Sequence, residues 1–446
     1  MYKLYPYFTN DGSVGLFSPT DNDIYHSTYG ALTEAYEKFV LPADIETYLS
    51  NKSEIKVLDI CYGIGYNSKS FINYIFNLKN FSKISSHADM CIDTIGKDNI
   101  FKDYYNEKID NDKISECDNE IYIDKIRNDN TFQEFLHESH KKNDFKIYIK
   151  AIDTDEILAF LSPFIICDKK NLPKDYKLPF DNEKISKMLH KSPKSKIKFS
   201  KEINVIFLLK IFKNHPEIFE NEDFINLLTS KKYRQFFEPF ILHLFELYRL
   251  EGGINTPKRR LTAFLHNIYY NYLSKRYKTA LKSPIFNNFI FDLKINDARK
   301  EILKDNNQYD LIFLDAFTPA KCPMLWSVDF FKLLYEHLDD NGRILTYSNS
   351  ATIRNAFINA GFYIGKIYNN TSDKFMGTIA TKNKSLIKND LSEYDLGLLK
   401  TKAGIFYLEK NLNGIKDEIL VTHKREVETS DLESSSHYIK RMKKGK

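Results

Sequence analysis

Short runs of β-branched and aromatic residues, each ending in a polar or small residue, recur along the chain. They alternate with stretches in which apolar residues return every three or four positions. VLDICYGIGYNSKSF (57–71) reads as a buried strand running into a glycine-bearing turn and then a helix. KIYIKAIDTDE (146–156), FIFDLKINDAR (289–299), YDLIFLDAF (309–317) and GRILTYSNS (342–350) have the same form. Helical patterns follow several of them, in EILAFLSPF, SVDFFKLLYEHLDD and ATIRNAFINAG. Two last runs, FYIGKIY and KFMGTIAT, predict a hairpin at one edge. The expectation is a parallel sheet with ligand groups at the carboxyl ends of its strands.

The spacing of these runs is uneven. A crossover between adjacent parallel strands needs a dozen or more residues, yet about seventy separate the first helix from KIYIKAID and over a hundred separate SPFII from FIFDLKIND. Both excesses read as insertions. The chain therefore divides into an N-terminal segment and first part of the core (1–76), an insertion (77–145), core (146–164), a helical insertion (165–285), and core with a C-terminal tail (286–446). EINVIFLLKIFKNH, FINLLTSKKYRQFFEPFILHLFELYRL and RRLTAFLHNIYYNYLSKRYKTALK supply the helical period of the second insertion. The fold class is α/β. Strand alternating with helix, closed by an antiparallel hairpin, is the Rossmann-like, mostly parallel order of a class I S-adenosylmethionine-dependent methyltransferase.

Composition narrows the classes without choosing one. With 42% hydrophobic and 14% aromatic residues the chain builds sizeable cores, which excludes a disordered protein. Lys and Arg total 65 against 60 acids, an excess that permits nucleic acid without demanding it. Five cysteines without a CxxC pair suggest neither zinc nor a disulfide framework, so no metal is expected. No run approaches a membrane span and MYKLYPYFTNDGS lacks an apolar signal core, so the expected location is the cytoplasm, with no membrane partner.

The strand ends carry the chemistry. Gly63 and Gly65 let the backbone approach a ligand. Asp59 ends the first strand, and Asp153 ends the second, where a carboxylate commonly holds a ribose diol. Asp297, after the third, is placed to accept a hydrogen bond from an adenine amino group. Three acids around one nucleoside favour S-adenosyl-L-methionine over a dinucleotide, whose pyrophosphate wants a fuller glycine turn and a helix N-terminus. The full GxGxxG of an FAD domain is missing. LDAFTPAKCPMLW (314–326), after the fourth strand, faces the acceptor side. There Asp315 can orient an amine and take its proton, with Phe317 and Trp326 as apolar walls or a stacking face. The alternative readings are a loop cap for Asp315 and a core plug for Trp326.

YHSTYGALTEAYEKFV, VLDICYGIGYNSK, INDARKEI, YDLIFLDAFTPAKCPMLW and KREVETSDLESSSHYIKR together resemble the methyltransferase part of the MnmC-type tRNA 5-(aminomethyl)uridine methyltransferases. The resemblance implies N-methylation of 5-aminomethyluridine, thiolated or not, at the tRNA wobble position. It also implies that Tyr25, His26 and Glu34 lie in a segment covering the pocket, Glu34 toward the cofactor and the other two toward the substrate. Asp59, Gly63, Gly65, Asp153 and Asp297 would hold S-adenosyl-L-methionine. Asp315 would be the catalytic carboxylate, with Phe317, Pro319, Lys321 and Trp326 shaping its loop. Family members often carry a glycine where Cys61 stands, which leaves the path of this turn open. Nothing resembles the FAD oxidoreductase domain of the bifunctional members, so methylation alone is expected, without FAD.

The anticodon region of tRNA is the expected partner, contacted through PKRR (257–260), KRYK (275–278), KKYR (232–235) and the tail KRMKKGK. Two rival readings remain. One is an aminopropyltransferase acting on small polyamines, which would also orient an amine with an acid after strand four; the other is an RNA-binding module whose cofactor site has decayed.

Overall fold

The computed structural model describes residues 4–19, 23–26, 28–85, 145–167, 201–239, 288–369 and 374–444, with a few isolated positions between 178 and 242. Most of the stretch 77–145 and the basic runs 257–260 and 275–278 lie outside the described residues.

A small antiparallel sheet comes first, β1 (Tyr5–Phe8), β2 (Val14–Ser18) and β3 (Asp23–Tyr25). The seven strands of the main sheet are β4 (Glu54–Ile60), β5 (Lys146–Asp153), β6 (Phe289–Ile295), β7 (Tyr309–Leu314), β8 (Leu338–Thr346), β9 (Tyr363–Asn369) and β10 (Lys374–Thr381). Their order is β6-β5-β4-β7-β8-β10-β9. The five from β6 to β8 run parallel; β10 is antiparallel to both β8 and β9. Every strand read from the sequence is there, including the closing hairpin. One boundary moves: the helix expected over SVDFFKLLYEHLDD stops at His337, and β8 starts at Leu338.

The central strands form because both their faces are covered. Val57, Leu58 and Ile60 of β4 and Leu311, Ile312, Phe313 and Leu314 of β7 are fully buried, the continuous apolar run of a parallel strand between two helical layers. On one face Val57, Ile149, Phe291 and Phe313 join the helix Tyr66–Ser85 and the small N-terminal sheet. On the other, Leu58, Ile60, Ile312 and Leu314 join the helices Val328–His337 and Ala351–Asn359. The helix Lys201–Asn214 also packs on the first face, its Phe207 ring 5.5 Å from Phe289 and 4.9 Å from Phe291.

Register places the strand ends level. Ile60 pairs with Ile152 and with Leu314, and Leu314 with Thr346. The chain lays down β5 and β6 on one side of β4, then returns to lay β7 and β8 on the other. That reversal splays the connections leaving β4 and β7 and opens the crevice in which such sheets bind ligands.

The N-terminal sheet roofs the crevice. Asp11, in the β1–β2 turn, accepts hydrogen bonds from Ser13 N (2.9 Å), Thr33 N (2.8 Å) and Thr33 Oγ1 (2.7 Å). Val14 N donates to Tyr66 Oη at 2.9 Å. These bonds tie the β1–β2 turn to Thr33 and to the start of the helix Tyr66–Ser85.

Candidate active site

The turn after β4 answers the question posed by Cys61. Cys61, Gly63 and Gly65 all have left-handed backbone, at φ 64°, 54° and 75°. Cys61 thus adopts the conformation a glycine would take, at a steric cost of roughly 1–2 kcal/mol, and the turn keeps its path. Two backbone bonds hold it there, from Cys61 N and Tyr62 N to Ile152 O at 3.0 and 3.1 Å. The two glycines do different work. A Cβ on Gly65 would strike the Tyr62 ring and lie 2.5 Å from Ser162 Oγ, so this glycine is needed for packing. A Cβ on Gly63 would meet nothing nearer than Cys61 O at 3.9 Å and would project toward the cavity, so this glycine leaves room for a ligand.

The cavity over the strand ends has a volume of about 720 Å³ and is bordered by the loops after β3, β4, β5, β6 and β7. Tyr25, His26, Glu34, Gly63, Asp153, Asp297, Asp315 and Phe317 all line it. Asp153 accepts from Gly63 N at 2.7 Å and from Asp155 N at 2.9 Å, which locks the second strand end to the glycine turn. Burial pushes its carboxyl up to about 6 against the pull of these backbone donors. Asp297 caps the helix Ala298–Leu303 through Arg299 N and pairs with the Arg299 guanidinium at 2.7 Å. Despite burial, the Arg299 hydrogen bond and charge hold this carboxyl below its ordinary range. Arg299 also contacts Glu409, itself fully buried, and donates to Gly414 O at 3.0 Å. The C-terminal segment thereby braces this wall.

Asp315 sits just past β7. Asn67 Nδ2, from the first turn of the helix after the glycines, donates to Asp315 Oδ2 at 3.0 Å. Burial raises the Asp315 carboxyl to about 6, while the Asn67 bond and the Lys38 charge pull it down. Lys38 pairs with Glu34 at 2.8 Å and lies over the Tyr347 ring, whose hydroxyl donates to Ala316 O at 2.9 Å. Tyr25 and Phe317 face each other with ring centroids 4.8 Å apart. His26 stands edge-on to Tyr66 at 5.0 Å; burial lowers its imidazole to about 4, so it is neutral near pH 7.

Other expected residues lie behind this lining. Asp59 has no exposed surface; its Oδ2 accepts from Ser68 Oγ at 2.6 Å, and burial raises its carboxyl to about 7. Trp326 is fully buried and donates its indole N–H to Phe317 O at 2.7 Å, so it holds the loop from beneath. Lys321 lies over the Phe317 ring, with its Nζ 5.7 Å from the ring centre, and like Pro319 it is in the loop but not part of the lining.

Sequence reasoning missed Asn67, Lys38, Arg299 and Tyr347. The i, i+4 spacing of Glu34 and Lys38 was a readable signal. Asn67 lay within the quoted turn, but its partner is 248 residues away.

The lining has a definite sign. Five acids, Glu34, Asp153, Asp155, Asp297 and Asp315, stand against two cations, Lys38 and Arg299, and both cations are paired. A pyrophosphate would meet repulsion here. A nucleoside carrying a sulfonium and an α-amino group fits: hydroxyls and amines find acceptors, and Ile152, Ala298, Ala316, Met324 and Leu325 supply apolar wall.

Residues 259–383 match the family model of S-adenosyl-L-methionine-dependent methyltransferases. That span contains Asp297 and Asp315 but neither the glycine turn nor Asp153. An uncharacterized protein of Methanocaldococcus jannaschii is 32% identical over 130 residues, 29% of this chain and 36% of that protein. The tRNA 5-methylaminomethyl-2-thiouridine biosynthesis bifunctional protein MnmC of Burkholderia vietnamiensis is 35% identical over 78 residues, 18% of this chain and 12% of that protein. The match thus spans about a third of the first relative and a smaller part of the second. Among solved structures, MNMC2 from Aquifex aeolicus superimposes with a TM-score of 0.51 at 17% identity, over 96% of this chain and 87% of that one. The fold is that of a class I methyltransferase.

Proposed function

We propose that this chain, built on a class I methyltransferase sheet and matched in part by the S-adenosyl-L-methionine-dependent family, methylates the primary amine of 5-aminomethyluridine at the tRNA wobble position. The base is taken with or without its 2-thio group, and the product is 5-methylaminomethyluridine. The observation that carries the reading is Asp315, a carboxylate at the sheet's switch point, open to the cavity and oriented by Asn67.

S-adenosyl-L-methionine, when bound, supplies a methyl carbon made electrophilic by the sulfonium. Asp153 and Asp297 are the groups to accept hydrogen bonds from its ribose and adenine, and Gly63 leaves space for it. The chain's own task is to present a neutral amine in line with that carbon and to take the proton which the new ammonium releases. A carboxyl near 6 is mostly ionised at pH 7 and is still basic enough to hold that proton in passing. Tyr25 and Phe317, packed on each other at 58°, give the cavity an aromatic wall against which a base can lie. The similarity to the tRNA 5-methylaminomethyl-2-thiouridine biosynthesis protein MnmC of Burkholderia vietnamiensis supports the choice of acceptor.

The test is nucleoside mass spectrometry after incubating the protein and S-adenosyl-L-methionine with tRNA from cells lacking this methylation. Accumulation of methylaminomethyluridine, lost in Asp315→Ala with cofactor affinity kept, is the expected result. Cofactor binding without any methylated nucleoside would overturn the acceptor assignment.

A further inference from the structure

Beyond the cavity, the closing hairpin carries an exposed aromatic pair that the methyl-transfer chemistry does not use. β10 pairs with β8 from Thr378↔Thr346 onward, so residues 374–377 run past the carboxyl end of β8. The bulge beside Phe375 absorbs one residue, so Phe375 lies two ladder steps past Thr378, about 7 Å beyond the end of β8 on the side where the cavity opens. β9 accompanies it, with Tyr368 opposite Phe375, and a bulge between Phe375 and Gly377 re-aims the strand there.

The two rings are exposed, Phe375 by 44% and Tyr368 by 38%, with centroids 5.2 Å apart. Lys366 Nζ, also paired with Asp395, stands 4.0 Å over the Phe375 ring, and Lys374 is exposed at the strand start. The hairpin is tied to the cavity rim: Asn349 Nδ2 donates to Phe375 O at 3.3 Å, two residues from the lining Tyr347.

We propose that Phe375 and Tyr368 form a stacking platform for an unpaired nucleobase close to the one being methylated. Lys366 backs one face of the Phe375 ring, while the exposed Lys374 beside the pair suits the phosphate of a single-stranded nucleotide whose base stacks on the rings. β10 stands two strands from β7, about 10 Å across the sheet, so the platform lies about 12 Å from the acceptor side, a separation that about two nucleotides of an unpaired loop can bridge. The inference rests on the reading of RNA as substrate and deepens it. It assigns to the hairpin part of the discrimination between a base in an anticodon loop and a free nucleoside.

The test compares wild type with Phe375→Ala, Phe375→Trp and the Phe375→Ala/Tyr368→Ala double variant. Two readouts are used: anisotropy of a fluorescent anticodon stem–loop RNA, and KM and kcat for tRNA methylation. The alanine variants are expected to weaken RNA binding and raise the tRNA KM by about tenfold, with kcat and S-adenosyl-L-methionine affinity unchanged and Phe375→Trp near wild type. RNA affinity unchanged in the double variant, or no RNA binding by wild type, would overturn the platform. RNA binding weakened by Phe375→Ala in a protein that methylates no tRNA would sustain the platform while removing the proposed reaction.

Discussion

Replacing Asn67 with leucine separates the basicity of Asp315 from its position. The lost bond is a 3.0 Å donation from an amide to a carboxylate, and hydrogen bonds to charged groups contribute about 1.5–3 kcal/mol. That interaction favours the ionised form, so its loss raises the carboxyl by about 1–2 units at 1.36 kcal/mol per unit. Starting from about 6, Asp315 would then titrate at about 7–8. Its ionised fraction at pH 7 would fall from about nine-tenths to between about a half and a tenth. The assay is kcat/KM for tRNA methylation between pH 6 and 9.5. The amine's own ammonium titrates alike in both enzymes, so the ratio of variant to wild type isolates Asp315. The ratio should lie between about a half and a tenth at pH 7 and approach one above about pH 9. A ratio that is low but flat with pH would refute the argument and make Asn67 a matter of geometry alone. A ratio of one throughout would show that the bond has no bearing on the reaction.

Three further outcomes follow from the same geometry. Asp59 has a folded-state carboxyl near 7 against about 3.8 unfolded, so the native chain holds the extra proton and loses stability as pH rises from about 4 to about 7. Asp59→Asn should flatten that dependence in denaturant titrations across the window; an unchanged slope would assign it elsewhere. Gly63→Ala should fold, with melting lowered by a few degrees for its left-handed backbone, and should bind S-adenosyl-L-methionine at least tenfold more weakly in calorimetry. Gly65→Ala, blocked by Tyr62 and Ser162, should instead give little folded protein, and equal behaviour of the two would undo their separation. Glu409→Ala removes one of the two carboxylates of Arg299 and leaves Asp297 as its partner, so the loss stays below about 3–5 kcal/mol, the cost of a buried charge left uncompensated; it is read as a lowered denaturation midpoint, while an unshifted midpoint would show that the brace is idle.

What the sequence disclosed is what local chemistry encodes. The consecutive apolar runs at 57–60 and 309–314 announced buried parallel strands, and the polar residues after them announced the ligand edge. Asp153, Asp297 and Asp315, which the structure places in the cavity lining, could be singled out because each stands where a strand stops, a place defined by sequence pattern alone. Cys61 was harder. A left-handed non-glycine residue has no local signature, and its conformation depends on bonds to Ile152 in the neighbouring strand. Trp326 was legible as a large apolar residue in the acceptor loop, with a stacking face and a core plug both open. Its full burial and its indole bond to Phe317 O decide for the core. The N-terminal sheet stayed hidden because three strands of three to five residues have too short a pattern to declare themselves. Arg299 and Glu409 stayed hidden because 110 residues separate them.

The acid-rich lining also bears on the direction of turnover. A methyl donor arrives with a positive sulfonium and departs with an uncharged thioether in its place. Carboxylates massed at the switch point attract the loaded donor more strongly than the spent one. The field of the site therefore loosens its hold on the donor once its methyl group has gone, and release of the thioether is assisted without any moving part.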